Sequence, residues 1–278
     1  MRYNKTHYDT VTDAWTHILG DNLHYGYFDP PDLDLKGATD KLIDSLASLS
    51  SISPIDANTS ILDVGCGIGN PAFYLHRRFG CRVTGITTSP RGVEMARERS
   101  EKNGTSGSVQ FRVADAMDNG FPDNTFDIAW IMESSHLMRD KERLFEESFR
   151  VLKNNGCLLL CDLILIEEFG IQEVFKYRKE LATLERSFGK AKMETLAFYE
   201  RRLSEQGFKD VEVVDISAKV RRTLTEWKGN TVSNKGQILR FLDEEAIEDF
   251  LRSCDILSAF FDGRVLGYGQ AKGVKTVQ

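Results

Sequence analysis

From residue 60 onward, short apolar runs alternate with stretches whose apolar residues recur every three or four positions. The runs Ser60 to Val64, Arg82 to Thr87, Val109 to Val113, Phe126 to Met132 and Gly156 to Ile164 have the length and side-chain types of buried strands. Between them, Pro71 to Phe79, Pro90 to Asn103 and Asp140 to Leu152 read as helices, with Gly80, Gly104 and Gly156 standing where a helix would stop. This rhythm of strand and helix predicts a parallel, doubly wound α/β sheet.

Past Ile164 the alternation breaks. Glu167 to Gln206 reads as mainly helical, with Gly207 just past its end, and is expected to form a lid inserted in the sheet. Within it Met193, Leu196, Ala197 and Leu203 recur at helical spacing, as a stripe facing the core does. Lys209 to Val220 and Arg264 to Val274 bring the expected strands to seven. Asp243 to Ser253 reads as a capped amphipathic helix with Ala246, Ile247, Phe250 and Leu251 on one side, and Gly229 to Gly236 as a loop. The expected organisation is one domain, residues 1–278: an N-terminal helical cap (1–55), a ligand-binding core (56–166), the helical lid (167–206), and the remaining core strands and helix (207–278).

At 278 residues the chain is long enough to bury a sizeable core. Its 42 acidic residues exceed its 36 basic ones, leaving a net charge of -6 and no basic excess to neutralise a phosphate backbone, which argues against a nucleic-acid partner. Met1 to Thr10 is polar and lacks the pattern of a targeting peptide, and no apolar run approaches the ~18 residues of a membrane-spanning helix. A cytoplasmic protein without a membrane partner, monomeric or homodimeric, is the expectation. The five cysteines form no CxxC pair, and their odd number fits free thiols. Cys157 and Cys161 are expected on one face of a buried strand, with no second Cys or His pair nearby to complete a metal site.

The segment Ile61-Leu62-Asp63-Val64-Gly65-Cys66-Gly67-Ile68-Gly69-Asn70-Pro71 reads as strand, tight turn and helix. Glycines at 65, 67 and 69 let the backbone turn sharply and let a ligand approach the main chain, or serve only a tight junction. Asn70 and Pro71 are the expected N-cap and first helical position. A dinucleotide fingerprint would put its third glycine where Asn70 stands. It would also want an acid about 20 residues on, where the second strand instead ends Gly85-Ile86-Thr87-Thr88-Ser89. An NAD(P)-dependent oxidoreductase is therefore the weaker alternative.

Four segments in order, Asp63 to Gly69 (DVGCGIG), Val113-Ala114-Asp115-Ala116, Phe126-Asp127-Ile128-Ala129-Trp130 and Phe149 to Gly156, resemble the motifs of the class I S-adenosylmethionine-dependent methyltransferases over roughly residues 60 to 165. Two more carry a closer resemblance, Leu23-His24-Tyr25-Gly26-Tyr27-Phe28-Asp29 and Met132-Glu133-Ser134-Ser135-His136-Leu137-Met138. They are similar to the small-molecule branch that includes tocopherol methyltransferases, the rebeccamycin sugar O-methyltransferase and geranyl diphosphate C-methyltransferase. The resemblance implies a Rossmann-like sheet that binds S-adenosyl-L-methionine and releases S-adenosyl-L-homocysteine. It implies that Asp115, with Ala116, meets the adenine amino group and that Tyr25 and Tyr27 close over the methionine end, unless they only pack a helix junction. His24, in the same segment, is a candidate substrate contact. Where the branch often has a glutamine after its second strand, this chain has Gly92, which bears on the ribose contacts.

Methyl transfer from a sulfonium is an in-line displacement, so positioning and exclusion of water carry much of the rate. Ligands of doubly wound sheets sit beyond the carboxyl ends of the strands, where Gly65, Gly67, Gly69, Thr87, Thr88, Asp115, Met132 and Glu133 are expected to converge. Asp63 either takes the cofactor's ammonium or accepts from loop amides. His136 is the candidate general base, because an imidazole ionises near neutrality, and Asp162 its orienting partner; the sugar O-methyltransferase has a His and an Asp at matching places. The other reading has His136 only shaping the pocket, since C- or N-methylation need not use a base. O-methylation of a small secondary metabolite leads, with C- or N-methylation as the alternative. Asp29-Pro30-Pro31 resembles part of a DNA amino-methyltransferase motif, but Asp32 stands where the stacking aromatic is required.

Overall fold

The computed structural model describes residue 15, residues 17–19 and residues 22–276. The Met1 to Thr10 segment, and His7 with it, lies outside the described residues.

In chain order the elements are α1 (Leu35–Ser48), β1 (Ser60–Val64), α2 (Asn70–Phe79), β2 (Arg82–Thr87), α3 (Pro90–Lys102), β3 (Val109–Val113), β4 (Phe126–Met132), α4 (Lys141–Val151), β5 (Leu152–Leu165), α5 (Ile171–Lys176), α6 (Arg178–Phe188), α7 (Leu196–Gln206), β6 (Phe208–Asp215), α8 (Ser217–Val220), α9 (Thr223–Ser233), α10 (Lys235–Ile238), α11 (Glu244–Asp262) and β7 (Leu266–Lys275). The strands form one seven-stranded sheet in the order β3-β2-β1-β4-β5-β7-β6. The pairs β1–β2, β1–β4, β2–β3 and β4–β5 are parallel. This is the expected Rossmann-like architecture. Strands β1 and β4 are apolar and buried almost throughout, as central strands covered on both faces must be, while the edge strand β3 exposes Gln110 and Val113.

The described residues divide into two compact units. A sheet unit takes 43–162, 196–214 and the residues from 270 on; a second unit takes those up to 42 with 163–195 and 215–269. The Glu167 to Gln206 stretch is thus shared, α5 and α6 lying in the second unit and α7 in the sheet unit. In α7 the buried positions are Tyr199 and Leu203, whereas Ala197, expected in the core-facing stripe, is exposed.

Several local expectations are corrected. Gly69, at φ 85°, precedes the helix as its cap, and Asn70 is the first residue of α2; the buried Asn70 amide oxygen accepts from Arg99 instead of from a helix N–H. Gly156 lies inside β5, which starts at Leu152. A Cβ there would stand 2.9 Å from the carbonyl oxygens of Asp127 and Lys153, so this glycine permits a close backbone approach rather than stopping a helix. β6 ends at Asp215, whose carboxylate accepts from the Ser217 amide and turns the chain into α8. Gly229 and Gly236 fall within α9 and α10 rather than a loop, because buried Leu224, Trp227 and Thr231 give α9 a helical stripe that outweighs one glycine. As expected, Asp243 caps α11 by accepting from Ala246 N, but the helix runs on to Asp262 because Cys254, Leu257, Phe260 and Phe261 continue its buried face.

Cys157 and Cys161 are buried in β5. Among the described residues no helix is long and apolar enough to cross a membrane.

Candidate active site

The strand order reverses between β1 and β4, and at such a switch point the connections leave in opposite directions and open a crevice at the carboxyl ends. The chain fills that point with two turns. Beyond β1, the amides of Gly65 and Cys66 both donate to Ile86 O, at 2.8 and 3.0 Å. Beyond β4, Ser134 Oγ donates to Val64 O at 2.7 Å and ties the two turns together.

The three glycines of the first turn do different work. A Cβ on Gly65 would stand 2.3 Å from Ser134 Cβ, and one on Gly69 would stand 2.5 Å from the Phe111 ring; both are required by packing. Gly67, at φ 54°, is exposed, and among the described residues, its chain neighbours aside, nothing lies within 4 Å of where its Cβ would be. Of the three, it is the glycine whose Cβ position is open. Helix α3 runs so close to the loop that a Cβ on Gly92 would stand 2.9 Å from Gly67 O, which gives the departure at that position a steric reason.

Asp63 is buried, and its Oδ2 has no hydrogen-bond partner among the described residues. The Gly65 and Cys66 amides donate to Ile86 O and the Gly69 amide to Cys66 O, not to this carboxylate. Burial pushes its carboxyl up to about 7. Asp63 is paired in register with Gly85 on one side and Trp130 on the other.

At the end of β2, Thr87 Oγ1 accepts from Ser89 N at 3.2 Å and Thr88 is exposed. Past β3, Asp115 Oδ1 accepts from Met117 N at 2.9 Å, a turn that commits one carboxylate oxygen, and Ala116 is buried beside it. Met132 closes β4. Glu133 follows in a left-handed conformation, φ 46°, that a side-chain-bearing residue adopts only at a cost, while its amide donates to Cys161 O at 2.9 Å. This bend delivers the short 3-10 helix Ser135–Leu137.

In that helix His136 meets Asp162 of β5. Its Nδ1 is 2.6 Å from Asp162 Oδ1, and its backbone N–H donates to Oδ2 at 2.9 Å. The histidine ring is 13% exposed and the carboxylate fully buried. Burial acts to lower the His136 pKa, but the charge and hydrogen bond of Asp162, aided by Glu133, outweigh it and hold the imidazole above its ordinary value. Burial would likewise raise Asp162, and the His136 charge and the hydrogen bonds it accepts pull it below the usual carboxylate range instead. Two buried hydroxyls missed in the sequence complete the cluster. Ser135 Oγ donates to Asp162 Oδ2 at 2.6 Å and lies 2.9 Å from Tyr199 OH. Ser135 stood beside a chosen residue, whereas nothing along the chain points from Tyr199 to it.

The remaining candidates sit in the second unit. Tyr25 is buried against Trp227, Tyr268 and Phe261, with ring centroids 4.7, 5.2 and 6.3 Å away. Tyr27 is half-buried, and its amide donates to Ala38 O at 2.7 Å. His24 is buried with Nδ1 2.8 Å from Tyr25 O and Nε2 unpartnered, and burial lowers its pKa to about 4, so it is neutral near pH 7.

A family model described as "Methyltransferase domain" matches residues 62–160, from β1 into β5. The 27-O-demethylrifamycin SV methyltransferase of Amycolatopsis mediterranei (strain S699) is 31% identical over 262 residues, covering 94% of this chain and 92% of that one. Among solved structures, the cyclase SpnF is 26% identical with a TM-score of 0.81, covering 99% of this chain and 95% of its own. The mycolic acid cyclopropane synthase CmaA1, complexed with S-adenosylhomocysteine, is 20% identical with a TM-score of 0.86 over 98% and 97%, a likeness of fold alone. A cyclase on the same fold shows why chemistry is assigned from sites and sequence rather than from architecture. Identity sustained along nearly the whole chain sets the dinucleotide alternative aside: the chain belongs to the class I S-adenosylmethionine-dependent methyltransferases, in the branch that acts on small molecules.

Proposed function

We propose that this enzyme methylates a hydroxyl oxygen of a small, partly apolar secondary metabolite, with His136 removing the hydroxyl proton. The observation that carries the proposal is the 2.6 Å pairing of His136 Nδ1 with buried Asp162. Asp162 fixes the proton on Nδ1 and leaves Nε2 as the basic nitrogen. When Nε2 takes the acceptor's proton, the carboxylate stabilises the imidazolium. Because His136 is held above its ordinary pKa, part of it is protonated at neutrality, and turnover rises with pH through an ionisation above 6.5.

Two features of the crevice fit S-adenosylmethionine: the open approach at Gly67 and the orphaned acceptor Asp63 Oδ2. When bound, it supplies a methyl carbon on a positively charged sulfur. Gly67 would admit its amino-acid end, on the turn whose packing needs Gly65 and Gly69, and Asp63 would take its ammonium. Thr87 and Thr88 would border the ribose, Asp115 and Ala116 the adenine, and Met132 and Glu133 the wall between. In the second unit, the unpartnered Nε2 of neutral His24 supports a hydrogen bond to substrate. The rifamycin relative matches residues in both units, which supports their working as one catalytic domain. We place the enzyme in the cytoplasm as a monomer or homodimer. The net charge of -6 supports the absence of a nucleic-acid partner.

Two expected results test the cofactor residues. Asp115→Ala should weaken S-adenosylhomocysteine by about 1.5 to 3 kcal/mol, as loss of a hydrogen bond to a charged group does. Asp115→Asn, which keeps an acceptor for Met117 N, should lose less. Calorimetric titration reads both, and unchanged affinity in the alanine variant would leave adenine to the backbone around Ala116. For Asp63 the sign is set by its raised pKa. Below about 7 the carboxyl is protonated and must lose that proton to receive an ammonium. Affinity should then fall by roughly tenfold per pH unit below that point, and Asp63→Asn should flatten the dependence. A wild-type affinity independent of pH from 7 to 5 would remove Asp63 from the ammonium site.

The test of the central proposal is the acceptor's pH-rate profile in wild type and His136→Ala.

A further inference from the structure

The hydrogen bonds around Asp162 have a fixed direction. Ser135 Oγ carries one proton and gives it to Asp162 Oδ2 at 2.6 Å. Its 2.9 Å contact with Tyr199 can then only be one in which Tyr199 donates. The chain therefore runs Tyr199 OH to Ser135 Oγ to Asp162, and His136 meets the same carboxylate from the other side. Tyr199, Ser135 and Asp162 are all fully buried, so no solvent competes for these bonds. Tyr199 comes from α7, Ser135 and His136 from the turn after β4, and Asp162 from β5, so three separate elements of the sheet unit converge on one carboxylate.

We propose that Ser135 and Tyr199 are positioning residues that set the basicity of His136 through Asp162. The proposal rests on the reading of His136 as the base, and its mechanism is electrostatic. A hydrogen bond donated to Asp162 draws density from the carboxylate. It is strongest when His136 is neutral and leaves the carboxylate's negative charge uncompensated. It thus favours the neutral imidazole and partly offsets the upward pull of Asp162. The groups that bear on the ring are Asp162 from β5, Glu133 from the end of β4 and Lys141 from α4; the first two raise its pKa and Lys141 lowers it. Ser135 and Tyr199 are neutral and act only through the carboxylate. This counterweight keeps more of the base deprotonated at neutral pH than the pair alone would allow.

The double variant Ser135→Ala/Tyr199→Phe removes both hydroxyls of the relay at once. Asp162 remains held by the two bonds from His136, through Nδ1 and the backbone N–H. The full-length protein, labelled at histidine, is titrated by NMR, and the His136 resonance is identified among the five histidines by its loss in His136→Ala. The His136 pKa should rise by about 0.5 to 1 unit in the double variant and by less in Tyr199→Phe, where Ser135 still donates. S-adenosylhomocysteine titration checks that the double variant is folded, and the Tyr199→Phe arm gives a second reading if it is not. A His136 pKa that is unchanged or lowered in both overturns the proposal. The titration is independent of catalysis. Failure of the base itself shows separately, as full turnover in His136→Ala with the NMR shift intact.

Discussion

His136→Ala should lower turnover on a hydroxyl acceptor by roughly 10² to 10⁴-fold, the range for losing a positioned general base, while S-adenosylhomocysteine affinity stays nearly constant. The separation is expected because the ring is tied to Asp162, whereas the features that fit the cofactor are the Gly67 opening and Asp63. The wild-type rate should climb with pH through an ionisation displaced above 6.5, and the variant should lose that limb. Asp162→Asn should do less damage than His136→Ala: its amide can still hold the ring, but it no longer stabilises the imidazolium. An enzyme that keeps its full rate without His136 would make carbon or an unprotonated amine the acceptor.

Gly67→Val should abolish S-adenosylhomocysteine binding in a folded protein, as measured by calorimetric titration alongside thermal unfolding. Among the described residues, its chain neighbours aside, nothing lies within 4 Å of the new Cβ, so the side chain obstructs what approaches from outside. The backbone cost is real, because φ 54° disfavours any Cβ by about 1 to 2 kcal/mol, or a few degrees of Tm in a chain of this size. Gly67→Ala carries the smaller share of that strain and should also weaken binding. Gly65→Ala and Gly69→Ala are the contrast: each drives a Cβ into Ser134 or Phe111 and should lower Tm more than Gly67→Ala does. Normal affinity in Gly67→Val would refute the assigned crevice.

Much of the sheet was legible because its signals are local. Apolar runs of five to seven residues bounded by helices or polar loops gave β1 to β4 their observed bounds. Errors fell where a residue's role is set by something distant in sequence. Asn70 looks like a cap until Arg99 claims its side chain, and Gly156 looks like a helix stop until Asp127 O is found against it. In the α9–α10 region glycine and asparagine suggest a loop, while burial of Leu224 and Trp227 decides for helix. At the site, the pairing of His136 with Asp162 is legible through the resemblance, which has a His and an Asp at matching places. Tyr199 was not found, since it reaches the cluster from a helix that follows the 163–195 segment of the other unit. Nor could the sequence separate Gly67 from its neighbours: the motif shows three glycines, and only the packing of Ser134 and Phe111 assigns two of them to the protein itself.

The most direct measurement is transfer of an isotope-labelled methyl group from S-adenosylmethionine, with cell extract as the source of acceptors and the labelled product identified by mass spectrometry and NMR. Wild-type protein should place the label on an oxygen of a small molecule, Gly67→Val should transfer none, and His136→Ala should transfer it at a small fraction of the rate. A label found on carbon or nitrogen at a rate indifferent to His136→Ala would contradict the assignment of His136 as the base for a hydroxyl acceptor.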